Sequence, residues 1–175
     1  RLGYRGYGSA GTLNMDARFV QNIEGALAAG LKVGVYFFSQ AISVEEAIEE
    51  ANFVLTALEP YRSRISLPVV FDWEDIGTTT ARTYKLPNEI LNACALAFCA
   101  EIEAAGYNPM IYFYPNLGSK RYDLDLIDQY PFWYCYYNGT YPNLERPFRI
   151  WQYTSSGTVA GIEGDVDLNI CFWPY

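Results

Sequence analysis

Histidine does not occur anywhere in the 175 residues. That absence alone excludes Ser-His-Asp and Cys-His nucleophilic machinery and the HExxH zinc site. Proton transfer at moderate pH must then fall to carboxylates, Tyr, Lys or Cys. Clustered positive charge is also lacking: 12 Lys and Arg stand against 20 Asp and Glu, a net charge of −8. Nucleic acid is therefore not an expected partner. No apolar run approaches the ~18 residues of a membrane-spanning helix and no signal peptide opens the chain, so a membrane is not expected either. Cysteine is sparse, and Cys94, Cys99, Cys135 and Cys171 show no CxxC spacing. A zinc or iron–sulfur site is accordingly not expected, nor is a cofactor. Cys94 and Cys99 lie five apart in an Ala-rich helical stretch, poor geometry for a disulfide within a helix. All four read as small core residues, with any cross-link left open.

What the chain has is apolar and aromatic mass: 51% hydrophobic residues, with 16 Tyr, 10 Phe and 4 Trp. That suffices for one domain over residues 1–175 with a sizeable core. The organising stretch is LPVVFDWED, residues 67–75. Its short apolar run suits a strand buried on both faces, as in a parallel sheet, and it ends abruptly in acid. Side chains alternate along a strand, so Asp72 and Glu74 share one side while Trp73 points away. Paired carboxylates at the C-terminal end of a buried strand are what α/β barrels use for chemistry. The alternative is a polar strand end entering a solvated loop, since most carboxylates serve only solubility.

Around this stretch the pattern alternates. Residues 16–29 carry helical periodicity (Phe19, Val20, Ile23, Leu27) and stop at Gly30; 31–38 read as a strand. Residues 43–58 read as a helix, with Ser43 and Glu46 forming a capping box. A Gly- and Thr-rich loop follows the 67–75 strand, Asn88 caps a helix through Ala105, and 110–114 form the next strand. Strands alternating with helices imply βαβ units. Later the helices thin out: 132–137, 149–153 and 166–169 read as strands, with a helical turn at 124–129. The G-x-G-x-x-G match at Gly6–Gly11 lacks the acid a dinucleotide site wants at the end of the next strand, and reads as a loop. Asn138-Gly139-Thr140 matches a glycosylation sequon, but between aromatic runs it reads as a turn. About six strands and three good helices fall short of the eight strands and ~250 residues of a complete barrel.

Several segments stand out together: RLGYRGYG (1–8), Asp16-x-x-Phe19-x-x-Asn22, GLKVGVYFFSQA (30–41), LPVVFDWED (67–75), AAGYNPMIYFY (104–114), FWYCYY (132–137), IWQYTSSGTVAGI (150–162) and DVDLN (165–169). In this order they resemble glycoside hydrolase family 25, the lysozymes that cut bacterial peptidoglycan. The resemblance implies α/β architecture: an irregular, TIM-like (β/α) barrel with few helices in its C-terminal part. The family's opening G-x-D-x-S strand has no counterpart, so by resemblance Arg1 falls inside the second strand, and the barrel is expected to be incomplete at its N-terminus. The implied activity is hydrolysis of the β-1,4 bond between N-acetylmuramic acid and N-acetylglucosamine. In the family the glutamate of D-x-E is the general acid, here Glu74; the preceding aspartate matches Asp72, and the aspartate of the last strand matches Asp167.

Residue chemistry fits these assignments. A carboxylic acid held protonated is the natural proton donor where histidine is absent. Apolar neighbours and the charge of Asp72 are expected to raise the pKa of Glu74, while hydrogen bonds keep Asp72 ionised beneath the N-acetyl group. Asp165, Asp167 and Asn169 alternate onto one face. Sugars pack on aromatic faces, and position in the matching motifs singles out Tyr36, Tyr112, Tyr114, Trp133, Tyr137 and Trp151, with Gln152 as a polar contact. The expected partner is bacterial peptidoglycan, met by a secreted or phage-borne monomer at the cell wall. Two other readings stand: a catalytically impaired wall-glycan-binding module on the same scaffold, and a barrel hydrolase acting on another glycan such as chitin.

Overall fold

The computed structural model describes residues 1–172. Eight strands run through it: β1 (Gly3–Arg5), β2 (Leu13–Met15), β3 (Val33–Ser39), β4 (Ile65–Trp73), β5 (Pro109–Phe113), β6 (Phe132–Cys135), β7 (Phe148–Gly157) and β8 (Val166–Cys171). They form one sheet in the order β2-β1-β3-β4-β5-β6-β7-β8. Strands β1 and β3 to β7 are parallel, and antiparallel β2 and β8 lie at the two edges. Three long helices, α1 (Phe19–Ala28), α2 (Val44–Leu58) and α3 (Asn88–Ala104), make the early crossovers. After β5 only the short α4 (Pro115–Lys120) and α5 (Leu124–Ile127) remain. The α/β class and the late loss of helices are as the sequence implied. Among the described residues no ladder joins β2 to β8, so the sheet is not closed by hydrogen bonds.

Strand β4 is buried from Pro68 to Trp73 because both of its faces are covered. On one face Val69, Phe71 and Trp73 join Leu91, Phe98 and Ile102 of α3 in the main core. On the other, Val70 meets Met110, Tyr112 and Cys135 in a smaller cluster. Gly34 lets β3 approach β4: a Cβ there would stand 2.5 Å from the Pro68 carbonyl oxygen.

Local signals explain most boundaries. Ser43 Oγ accepts from Glu46 N at 3.3 Å, and Glu46 answers by accepting from Ile42 N at 2.9 Å, one residue earlier than a standard box. Gly30 (φ 74°) and Gly106 (φ 85°) take the left-handed turns that end α1 and α3. Asn88 departs from expectation. Pro87 holds the cap position of α3, and Asn88, already helical, ties the helix start to Lys120 O and Arg121 Nε instead. Strand β1 stands where the resemblance puts a strand at the start of the chain, whereas β2 lies outside the expected set, its three residues carrying too little alternation to announce it. Among the described residues no helix is long and apolar enough to cross a membrane.

Candidate active site

Six successive strands send side chains into one cavity of about 240 Å³ at the C-terminal end of the parallel strands. Strand β3 supplies Tyr36, β4 supplies Asp72 with Glu74 just beyond its end, β5 supplies Tyr112 and β6 supplies Trp133. Tyr137, Gln152 of β7 and Asp167 of β8 complete the wall. In a flat sheet β3 and β8 would stand five spacings, roughly 24 Å, apart. A sphere of the cavity's volume is only about 8 Å across, so the sheet must curl. Curling is what brings acids from β4 and β8 into one space.

Asp72 is buried, at 6% exposure, and its Oδ1 has no hydrogen-bond partner. Burial first, then the charge of Glu74, pushes its carboxyl well above the usual range, with Arg1 opposing and Asp167 adding to the rise. The expectation that hydrogen bonds keep Asp72 ionised is therefore corrected: a bare buried oxygen beside a second carboxylate favours the protonated form. Glu74 is half-buried. Burial, and then Asp167, raises its pKa as expected in direction, although the charged neighbour responsible is Asp167 rather than Asp72. Asp167 itself is exposed at the rim. The same surroundings push the Tyr36 hydroxyl up to about 12, through burial and the charge of Asp72.

The aromatic wall is organised around Trp133. Tyr36 and Tyr112 meet its ring edge-on, with centroids 6.0 and 5.3 Å away. Its Nε1 donates to Asn169 Oδ1 at 2.8 Å, which fixes the indole from β8. Gln152 Nε2 donates to Tyr137 Oη at 2.6 Å. Glu74, Tyr112 and Tyr137 also line an adjoining cavity of about 510 Å³, together with Tyr114, Cys135, Tyr136 and Asn138. The two spaces share Glu74, Tyr112 and Tyr137 as lining.

Eight of the ten residues singled out from the sequence thus share the first cavity, and Tyr114 lies in the second. Trp151 lines neither. It is buried on the opposite side of β7 from Gln152, donating from Nε1 to Tyr136 O at 2.9 Å and packing against Tyr141. Asp75 lines neither cavity and accepts from Gly77 N at 2.9 Å. Sequence reasoning passed over Cys135, which it assigned to the core. The usable signal was the register 133-135-137, which places Cys135 between two wall residues. It also passed over Gln40, whose amide donates to the Glu74 carbonyl oxygen at 3.1 Å. Among the described residues no group of three or more Cys, Asp or Glu side chains is arranged to hold a metal ion. The cavity can deliver a proton from Glu74 to an uncharged ring-shaped ligand held against aromatic walls, with the Asp72 carboxyl facing the same space.

The family model for glycosyl hydrolases family 25 matches residues 8–162. The autolytic lysozyme of Clostridium acetobutylicum is 26% identical over 155 residues, which cover 88% of this chain and 44% of that protein. Lysozyme M1 of Streptomyces globisporus is 25% identical over 166 residues, covering 91% and 56%. The chain thus spans about half the length of the curated relatives it matches. Among solved structures, the modular autolysin LytC from Streptococcus pneumoniae, in complex with a synthetic peptidoglycan ligand, superposes with a TM-score of 0.81 at 25% identity, covering 96% of this chain and 38% of that one.

Proposed function

The chain belongs to glycosyl hydrolases family 25, and from that premise we propose that it is a peptidoglycan hydrolase, a lysozyme folded as a single catalytic domain over residues 1–175. It cleaves the β-1,4 bond between N-acetylmuramic acid and N-acetylglucosamine. The observation that carries this reading is the pairing of Asp72 and Glu74 in one aromatic-walled cavity.

Glu74 is the general acid. Burial and Asp167 hold its carboxyl protonated to higher pH than usual, and its place where the two cavities meet sets it beside a glycan lying along the groove. Its proton passes to the glycosidic oxygen as the bond to the anomeric carbon breaks. Tyr36, Tyr112 and Trp133 offer the sugar ring a packing surface, and Gln152, Tyr137 and Asp167 offer hydroxyl partners.

Asp72 acts from beneath the sugar. The part of the Asp72 carboxyl that faces the cavity accepts the acetamido N–H of the bound residue, and gaining that donor favours the ionised form that burial disfavours. The acetamido oxygen then attacks the anomeric carbon while Asp72 steadies the developing positive charge. Water later opens the cyclic intermediate, giving its proton to the Glu74 carboxylate and its oxygen to the anomeric carbon. The protein acts as a monomer at the bacterial wall, secreted or phage-borne.

Digestion of purified peptidoglycan, followed by borohydride reduction and mass spectrometry of the new ends, tests the function. Reduced muramic acid on soluble fragments is the expected result. Reduced glucosamine would move the cut to the other bond, and binding without fragments would make the protein a wall-binding module.

A further inference from the structure

We propose that Gln40 is a positioning residue for Glu74, an inference that rests on Glu74 being the proton donor. The β3–β4 ladder ends where Ser39 meets Trp73, so Glu74 lies one residue beyond the sheet. There the Gln40 amide takes over from the ladder. Its Nε2 donates to Glu74 O at 3.1 Å and to Ser39 O at 2.8 Å, and its Oε1 accepts from Thr83 Oγ1 at 2.8 Å. The orientation of the amide is fixed by chemistry: two carbonyl oxygens can only accept, so the NH₂ must face them. Gln40 is fully buried, and water does not compete for these bonds.

The residue is also anchored behind. Its backbone N donates to Glu50 Oε1 at 3.3 Å, and the same oxygen accepts from Arg5 Nε at 2.7 Å. Its carbonyl accepts from Arg82 Nη1 at 3.2 Å, and Arg82 Nη2 donates to Glu46 Oε1 at 2.6 Å. Arg82 N is bonded in turn to Tyr7 O at 2.8 Å. Two ion pairs on the helix side thus hold the Gln40 backbone, and its side chain transmits that rigidity to the main chain carrying the acid. A displacement near 1 Å of a catalytic group can cost about 100-fold in rate.

The test compares the protein with Gln40→Met, Thr83→Val and Gln40→Glu, each alone and Gln40→Met also with Glu74→Gln, on soluble peptidoglycan fragments. Gln40→Met should lower kcat by roughly 10- to 100-fold with KM within about twofold, and should move the pH limb governed by Glu74. Thr83→Val should do the same more weakly, and it carries the test if Gln40→Met fails to fold. Gln40→Glu should regain rate in acid, where its protonated carboxyl can donate to Glu74 O. In the Glu74→Gln background Gln40→Met should bring no further loss. A lowered melting midpoint with unchanged kcat and pH profile would overturn the proposal, as would an equal loss in both backgrounds. Parental digestion by Glu74→Gln alone would instead remove the proton-donor reading, and this inference with it.

Discussion

The two faces of the central strands share one backbone and do opposite work. Toward the helices, Phe37, Phe71, Ile111, Phe113 and Phe132 are almost wholly excluded from solvent and share the main core with residues of α2 and α3. Toward the cavity, their immediate neighbours are Tyr36, Asp72, Tyr112 and Trp133. The cavity face also changes along its length. Val70 and Met110 form an apolar floor, and one pleat further on β4 stands Asp72, with Glu74 beyond. Burial in the cavity shifts both carboxyls upward, and the helix-side core holds the strands that carry them. Alternation by twos therefore lets one set of strands separate stability from chemistry.

Substitutions can break that separation. On the helix side, Phe98→Ala, which empties a fully buried site packed on Phe71 at 5.4 Å between centroids, should cost about 3–5 kcal/mol of stability by denaturant titration. Its digestion rate per folded molecule should change far less. On the cavity side, Glu74→Gln should reverse the pattern, losing roughly 10²- to 10⁴-fold in kcat with the melting midpoint kept.

Asp72→Asn should separate the two properties by pH. Because the folded carboxyl titrates above its unfolded value of about 3.9, the stabilisation it gives is complete below that pH and is lost as pH rises through the folded value. The melting midpoint of the parent should thus fall relative to Asp72→Asn as pH climbs from about 4, while the variant digests peptidoglycan more slowly throughout. Trp133→Phe is the mildest change, since it keeps a ring while losing the bond to Asn169 and part of the face offered to the sugar. A loss of about 1 kcal/mol of sugar packing predicts a KM roughly fivefold higher with little change in kcat.

Much of this division is legible in the sequence, because period-two alternation at residues 69–74 puts Asp72 and Glu74 on one side and Trp73 on the other without reference to any fold. The alternation fails as a guide at Trp151 and Gln152, where both residues suit a glycan groove and only the curl of the sheet shows that Gln152 enters it. Tyr114 sits past the end of β5, so strand geometry does not govern its direction, and it opens into the second cavity. Strand β2 pairs only with β1 over three residues, a contact set by tertiary structure rather than by pattern. The upward shift of the Asp72 carboxyl could not be read from the chain, since it follows from burial and from the nearness of Glu74 in space.

The account turns on burial keeping the cavity carboxyls protonated where an ordinary Asp or Glu would be ionised. A ¹³C NMR titration of the side-chain carboxyls, with Glu74 and Asp72 identified by the signals lost in Glu74→Gln and Asp72→Asn, measures that directly. Both should titrate above their usual values of about 4.3 and 3.9, with Asp72 displaced further. Titration of Glu74 at its ordinary value, with Asp72 already ionised below it, would contradict the account.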